Sequence, residues 1–429
     1  MLQRCTVISV MNLVSELDLP EFDYSAADFS ADRYHQQLAE TRQRGWLAKS
    51  PLAYIVLDHD AGEFFLRSRK TAFPGRQIAE FFGVTSGPLA EHIDANILNL
   101  GGEQHRRLRA LVGPALTPRA ADRWRPVMRG FLERLWSQAA AHGGCEFAAA
   151  VARPYPSLTI ATVLGAPHQD AERLHAWSSW VQRQFDIRAL ETSREDIERA
   201  VTEVEAYVTG LLEARRADPG ADLISELLAA RDQGDRLSAA ECVQLVTNVL
   251  AGGIDTTAGQ LAHAIRLFAG HPGQWALLAA EPSLVPRAVE EVLRFEPVTP
   301  FTARICLEQV EHHGVIFPAG TIVAVCAERA NRQGEDGETF DITAPRQPKA
   351  APRLLTFGAG THYCLGANLA RAELEEALAF LAPRTPGLAL DGPPQLGGIE
   401  GVYGVDKLPI TWSGSSAMNP NHRLAPDVS

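Results

Sequence analysis

Lysine is almost missing from this chain: Lys49, Lys70, Lys349 and Lys407 are the only ones among 40 basic residues, and the rest are arginine. There is no basic tail either, and 52 acidic residues leave a formal charge of −12, which argues against a nucleic-acid partner. Paired cysteine spacing is absent. Cys5, Cys145, Cys242, Cys306, Cys326 and Cys364 fall irregularly, with no C-x-x-C or H-x-x-x-H pair. Neither a disulfide framework nor a zinc site is indicated, and a reducing cytoplasm suits the chain. Long apolar runs are absent too. The run Cys5 to Val14 is broken by Thr6, Ser9 and Asn12, and it falls short of the roughly 20 apolar residues that span a bilayer. Arg4 is the one charge before it, and Glu16 and Asp18 follow without a small-residue cleavage site, so neither a secretion leader nor a membrane anchor is expected.

What is present suits a large core: 46% of the 429 residues are hydrophobic and 21% are charged. Apolar spacing predicts helices over Ser30 to Trp46, Asp60 to Arg69, Glu103 to Ala115 and Pro118 to His142, and a strand over Ala53 to Leu57. The longest helix is predicted from Ser238 to Phe268. Ser238-Ala239-Ala240-Glu241 forms a capping box at its start, and Gly270 with Pro272 stops it. Alternating β-branched residues and turns between Pro300 and Val325 predict small sheets. Residues 1–30 read as an irregular arm and 414–429 as a disordered tail.

One stretch carries more chemistry than the rest: Phe357-Gly358-Ala359-Gly360-Thr361-His362-Tyr363-Cys364-Leu365-Gly366-Ala367-Asn368-Leu369-Ala370-Arg371. Gly358 and Gly360 let the chain fold back on itself. Cys364 directly precedes the amphipathic run Leu365 to Leu381, so it stands at a helix N-terminus, where free N–H groups favour a thiolate. Gly366 removes a side chain that would obstruct a flat ligand. Taken alone, Cys364 reads as a buried structural cysteine; the loop around it reverses that reading.

The loop resembles the haem-binding segment of the cytochrome P-450 superfamily, F-G-x-G-x-H-x-C-x-G followed by L-A-R, with every fixed position filled. The resemblance, to the bacterial type of haem-thiolate monooxygenase, implies a mainly α fold. In it, one large helical unit with small β-sheets holds haem b between the long central helix and the cysteine-loop helix. It implies one catalytic domain over residues 1–413, although length alone would suggest two or three. Cys364 would be the thiolate ligand of the iron, with Phe357, Gly358 and Gly366 lining the cofactor.

Three further constellations fit. Gly252-Gly253-Ile254-Asp255-Thr256-Thr257 places two glycines inside the long helix, each unfavourable by about 1 kcal/mol against alanine. Close helix packing would explain an isolated glycine pair, but an acid and an alcohol follow at once. Thr256 can bond a carbonyl one turn back or a ligand. The segment resembles the family's oxygen-binding motif, which implies that the glycines make room for dioxygen, that Thr256 donates to it and that Asp255 relays protons. Glu291-Val292-Leu293-Arg294 resembles the family's buried E-x-x-R pair, a structural element. His105 and Arg109 share a helix face one turn apart and suit a pair of carboxylates. By resemblance they bind the haem propionates together with Arg304 and His362. The family's usual D-P-P-x-H is replaced here by Gly101-Gly102-Glu103-Gln104-His105. Ala330-Asn331-Arg332 and Phe340-Asp341-Ile342 resemble the segment preceding the haem loop.

The resemblance implies an enzyme that activates dioxygen and hydroxylates or otherwise oxidises a small hydrophobic substrate. Nothing in the sequence resembles a fused reductase, so a separate ferredoxin or flavodoxin, reduced through NAD(P)H, would supply electrons. Arg106 and Arg107 read as part of a basic patch for such a partner. Leu89, Ile93, Gly252, Ile254, Val298, Phe301, Ile399 and Val402 would face the substrate. A peroxide-driven peroxygenase and a non-catalytic haem sensor are the competing readings; retention of Asp255 and Thr256 disfavours the first.

Overall fold

The computed structural model describes residues 11–23, 31–140, 143–232, 237–334, 336–344, 353–399 and 401–413. The expected tail at 414–429 and most of the arm at 1–30 lie outside them. The part of the arm that is described is ordered by pairing: Asn12–Leu13 adds in parallel to Val315–Ile316 of a hairpin.

Helices dominate. Those used below are α1 (Ala31–Gln43), α2 (Pro88–Ala95), α3 (Gly102–Val112), α4 (Arg125–Ala139), α5 (Pro154–Leu164), α6 (Ala171–Gln182), α7 (Arg194–Ala217), α8 (Ala239–Gly270), α9 (Val285–Phe295) and α10 (Ala367–Leu381). The helix expected over Pro118 to His142 is two helices, Pro118–Asp122 and α4. Pro126 is the cause: it has no N–H to offer Asp122 O and its ring crowds that carbonyl, so one helix ends at Asp122 and the next starts at Arg125. His142 itself lies outside the described residues.

Helix α8 is capped as its sequence predicts. Ser238 Oγ accepts from the Glu241 amide at 3.1 Å, and Glu241 Oε2 accepts from the Ser238 amide at 2.9 Å. Its 32 residues give a rod of about 48 Å. Every residue from Thr257 to Ile265 is buried, so this half of the helix runs through the core with protein on all sides. It packs against α5, α6, α7 and α10.

The main sheet has five strands: β1 (Leu47–Lys49), β2 (Tyr54–Val56), β3 (Thr71–Ala72), β4 (Phe301–Cys306) and β5 (Ile322–Cys326), in the order β1-β2-β5-β4-β3. Only β2 and β5 run parallel. Residues Phe301 to Ile305 pair with Cys326 back to Ile322, which fixes the direction of Arg304 relative to the helical body. No described helix is long and apolar enough to cross a membrane.

Helix α1 is latched to this framework by charge. His35 Nε2 lies 3.3 Å from Glu296 and its Nδ1 3.4 Å from Glu328; Arg266 reaches Glu296 at 2.9 Å and Arg332 reaches Glu328 at 3.3 Å. Burial alone would lower the His35 pKa, but hydrogen bonds to the two carboxylates raise it from 6.5 to about 9. The folded-state value exceeds the unfolded one, so this contribution is complete below about pH 6.5 and is lost as pH rises through about 9. Thermal melts between pH 6 and 10 are expected to show a steeper alkaline loss for the native chain than for His35→Gln. Parallel pH profiles would remove the latch from the stability of the fold.

Candidate active site

The cysteine loop folds back as its glycines require. Gly358 and Gly360 both have φ of 69°, and the Cys364 amide donates to Phe357 O at 2.9 Å, closing the loop. A side chain at Gly360 would also meet Leu66 O at 2.9 Å. Helix α10 begins just beyond, with Gly366 at its cap. Cys364 has accessible surface although protein surrounds it deeply, so that surface borders an internal cleft. The expected thiolate bias is only partly present. Burial pushes the thiol up, and it outweighs the Gly366 and Ala367 amides and the Arg109 and Arg371 charges, which pull it down. A coordinated metal ion would reverse the balance, because it deprotonates a thiol ligand outright.

Four cationic side chains from three separate segments converge beside this loop. His105 and Arg109 come from α3, Arg304 from β4 and His362 from the loop itself. The His105 and His362 rings are 4.4 Å apart, and Arg109 Nη2 donates to Tyr363 O at 2.6 Å. Burial, with the charges of His105, Arg304 and Arg109, pushes His362 down to about 4. Burial also lowers Arg304 to about 10 and lowers Arg109; His105 is lowered by burial and by Arg109. Arg304 is 3% exposed, and its hydrogen bond is to the neighbouring Ala303 O. His105 Nδ1 is buried without a partner. Among the described residues no carboxylate pairs with any of the four. Arg304 is buried and Arg109 half-buried, and guanidinium charge held away from water without an acid is costly. The donor set therefore fits a dianionic ligand whose flat body reaches Cys364, as haem with its two propionates would.

In α8 the two glycines separate into two roles. A Cβ at Gly253 would strike Ile160 of α5 at 2.5 Å, so this glycine serves helix packing, whereas Gly252 has open space around it. Gly252 is exposed near the middle of the helix, between buried Ala251 and half-buried Gly253. Thr256 Oγ1 donates to Gly252 O at 2.6 Å. Asp255 Oδ1 lies 3.0 Å from His175 Nδ1 on α6, at ion-pair distance without hydrogen-bond alignment. From the same helix, Ser178 Oγ and Gln182 Nε2 both donate to Ala251 O, at 3.1 and 2.7 Å. Sequence reasoning passed over these three residues. Their spacing marks one helix face, but nothing in it names the partner helix.

The E-x-x-R pair is buried and bidentate: Arg294 meets Glu291 at 2.9 and 2.7 Å. Arg294 also donates to Gly337 O at 2.6 Å and Thr339 O at 2.7 Å, while Glu291 accepts from the Asp341 amide at 2.9 Å. Asn331 bonds Thr356 Oγ1 and the Leu355 amide, both at 2.8 Å, and Thr356 donates to Leu293 O at 2.6 Å. The start of the cysteine loop is thus tied to α9. Glu290 pairs with Arg371 of α10 instead.

Of the other candidates, Leu89, Ile93 and Ile254 are packed in the main core, Leu89 and Ile254 with no accessible surface. Val298 and Ile399 are buried, and Phe301 and Val402 are half-buried. The Tyr403 amide donates to Val298 O at 2.7 Å, which draws 402–403 beside Val298 and α8. Arg107 is not free for a redox partner: it is ion-paired with Glu241 at the start of α8, while Arg106 is exposed.

A helical body with an internal cysteine loop, acid-free buried cations and an opened central helix defines a cofactor-dependent oxidoreductase. The chain belongs to the cytochrome P-450 family, whose family model matches residues 46–381. It is similar to luteothin monooxygenase of Streptomyces thioluteus, with 35% identity over 92% of this chain and 96% of that protein. Nocardicin C N-oxygenase of Nocardia uniformis subsp. tsuyamanensis is 37% identical over 74% of this chain and 79% of its own length. The crystal structure of CalO2 superposes with a TM-score of 0.82 at 31% identity, covering 92% of this chain and 99% of that one. The chain is a monooxygenase of this family, which implies a thiolate-ligated haem and dioxygen.

Arg294→Leu is expected to destabilise the fold by about 3–5 kcal/mol, because it leaves Glu291 buried and uncompensated. Chemical denaturation of the two proteins would measure this, and a loss below about 1 kcal/mol would contradict the role given to the pair.

Proposed function

We propose that Cys364 ligates the haem iron and that His105, Arg109, Arg304 and His362 hold the two propionates, with Phe357, Gly358 and Gly366 against the cofactor. The observation that carries this is the convergence of two arginines and two histidines, His105 and Arg304 buried, with no acid paired to them among the described residues, beside an internally accessible cysteine. Haem bound there supplies the oxidising chemistry, using dioxygen, two electrons and two protons to place one oxygen atom on substrate and release the other as water.

The chain's own residues then have distinct tasks. The Gly366 and Ala367 amides favour the anionic sulfur. Gly252 leaves room on the face of α8, and Thr256 holds a proton at Oγ1 one turn away. Asp255, in contact with half-exposed His175, is placed to pass protons inward from solvent. These two residues support reductive dioxygen activation over a peroxide-driven reaction, which needs no such relay.

The substrate we propose is small and hydrophobic, with Phe301, Val298, Ile399 and Val402 on its side of the cleft. The relatives' names range over luteothin, nocardicin C, mycinamicin IV and vitamin D3, which suits an apolar natural product. Electrons come from a separate ferredoxin or flavodoxin served by an NAD(P)H-dependent reductase, in the cytoplasm.

Visible-absorption titration of the purified protein against terpenoids, steroids, macrolides and small aromatics tests the reading. A low-to-high-spin shift with one class is expected; a protein that shows no haem band after reconstitution would overturn it. Cys364→Ser is expected to abolish the thiolate-type spectrum of the reduced, carbon-monoxide-bound protein, and a retained spectrum would move the iron ligand elsewhere. Thr256→Ala is expected to keep haem and substrate binding while product formed per NAD(P)H falls by roughly ten-fold or more and peroxide takes its place. Unchanged coupling would remove Thr256 from proton delivery.

A further inference from the structure

Helix α6 makes polar contacts with α8 at one turn and with one face. His175, Ser178 and Gln182 are spaced by three and four residues, so they line up along α6. Ser178 and Gln182 both donate to Ala251 O, and His175 meets Asp255. Asp255 is the residue four after Ala251, whose amide is the ordinary helical partner of that carbonyl. A carbonyl oxygen offers two lone pairs, so the two α6 side chains compete with that amide for them. The next carbonyl, Gly252 O, accepts from Thr256. Two consecutive carbonyls of α8 are therefore committed to side chains, beside the glycine pair and in the turn that carries Asp255 and Thr256.

Packing alone would not concentrate these groups. Ser178 is fully buried, and an alanine would fill its place; Gln182 is half-buried, and an apolar chain of its length would cover the same surface. The donors instead converge on one acceptor.

We propose that His175, Ser178 and Gln182 are positioning residues: a clamp by which α6 draws the Ala251 carbonyl off the helix axis, weakens its bond to the Asp255 amide and holds the Asp255 carboxylate in place for proton delivery. The clamp makes the proton-handling turn of α8 depend on where α6 sits. It rests on the haem-thiolate reading above and adds to it Ser178, Gln182 and a positioning role for His175.

The test uses haem-loaded protein carrying Ser178→Ala with Gln182→Met, and separately His175→Leu and His175→Gln. Gln182→Met alone, at a half-buried position, serves if the double variant does not fold. Hydrogen–deuterium exchange over peptides covering 248–258 is read first. With the clamp removed, Ala251 O returns to the Asp255 amide, and exchange there is expected to slow by about five-fold, the factor for one net hydrogen bond. A purely structural contact would give faster exchange. Peroxide released per NADPH consumed is read next, with a surrogate ferredoxin and reductase and no added organic substrate. It is expected to rise in the double variant and in His175→Leu, and to return towards the native value in His175→Gln, whose amide offers Asp255 a polar N–H where leucine offers none. Unchanged or faster exchange, or an unchanged peroxide share, overturns the clamp. A native protein without a thiolate-type carbon-monoxide spectrum overturns the haem reading instead, and the exchange result still decides whether α6 shapes the turn.

Discussion

The position of Cys364 depends on a buried ion pair some seventy residues earlier in the chain. Glu291 and Arg294 satisfy each other in a bidentate contact, and their remaining hydrogen-bonding capacity goes to the backbone of Gly337, Thr339 and Asp341. A charge pair this deep stabilises little by itself, since desolvation offsets most of the attraction. Its effect is directional. A guanidinium with a fixed fork of donors accepts only one arrangement of the turn-rich segment Gly337 to Asp341 that it bonds. That segment leads, through the tie of Asn331 and Thr356 to α9, into the glycine loop. Irregular chain is thereby given the precision of a helix.

Beyond the loop, the site is organised by unbalanced charge. His105, Arg109, Arg304 and His362 are brought together by a helix, a strand and the loop, and each is driven towards its neutral form. Across the cleft, α8 shows the complementary device. It is buried on all sides from Thr257 to Ile265, and it is exposed at Gly252, in the turn that carries Asp255 and Thr256. The same turn takes polar contacts from α6, so the cationic groups and the Asp255–Thr256 turn are held by different elements of the fold.

Much of this was legible beforehand where a local rule was decisive. The capping box of Ser238 and Glu241 set the start of α8, and the glycines of the cysteine loop set its reversal. The i,i+3 spacing of Glu291 and Arg294 set their pairing. Local rules failed where a neighbour in sequence or space intervened. Pro126 cut a helix whose apolar pattern ran on through it. Gly253 and Gly252 look alike in sequence, yet Ile160 makes one a packing residue and leaves the other open. Arg107 reads as a free surface cation until Glu241 is found beside it. Leu89 and Ile254 are apolar in the same way as Phe301, and only the packing leaves the first two without accessible surface and Phe301 half-buried.

The sequence by itself determined which chemistry the chain carries: a cysteine in a glycine-bracketed loop, an acid and an alcohol within a long helix, and cationic pairs at helical spacing. These follow from side-chain type and from periodicities of a few residues, which a linear chain displays openly. Only the tertiary structure decided the environment of each group. It made the Cys364 thiol harder to ionise through burial, gathered cations from distant segments around it, and set His175, Ser178 and Gln182 against Ala251 and Asp255. Those effects arise from distance and desolvation between residues far apart in the chain, and no local pattern encodes them.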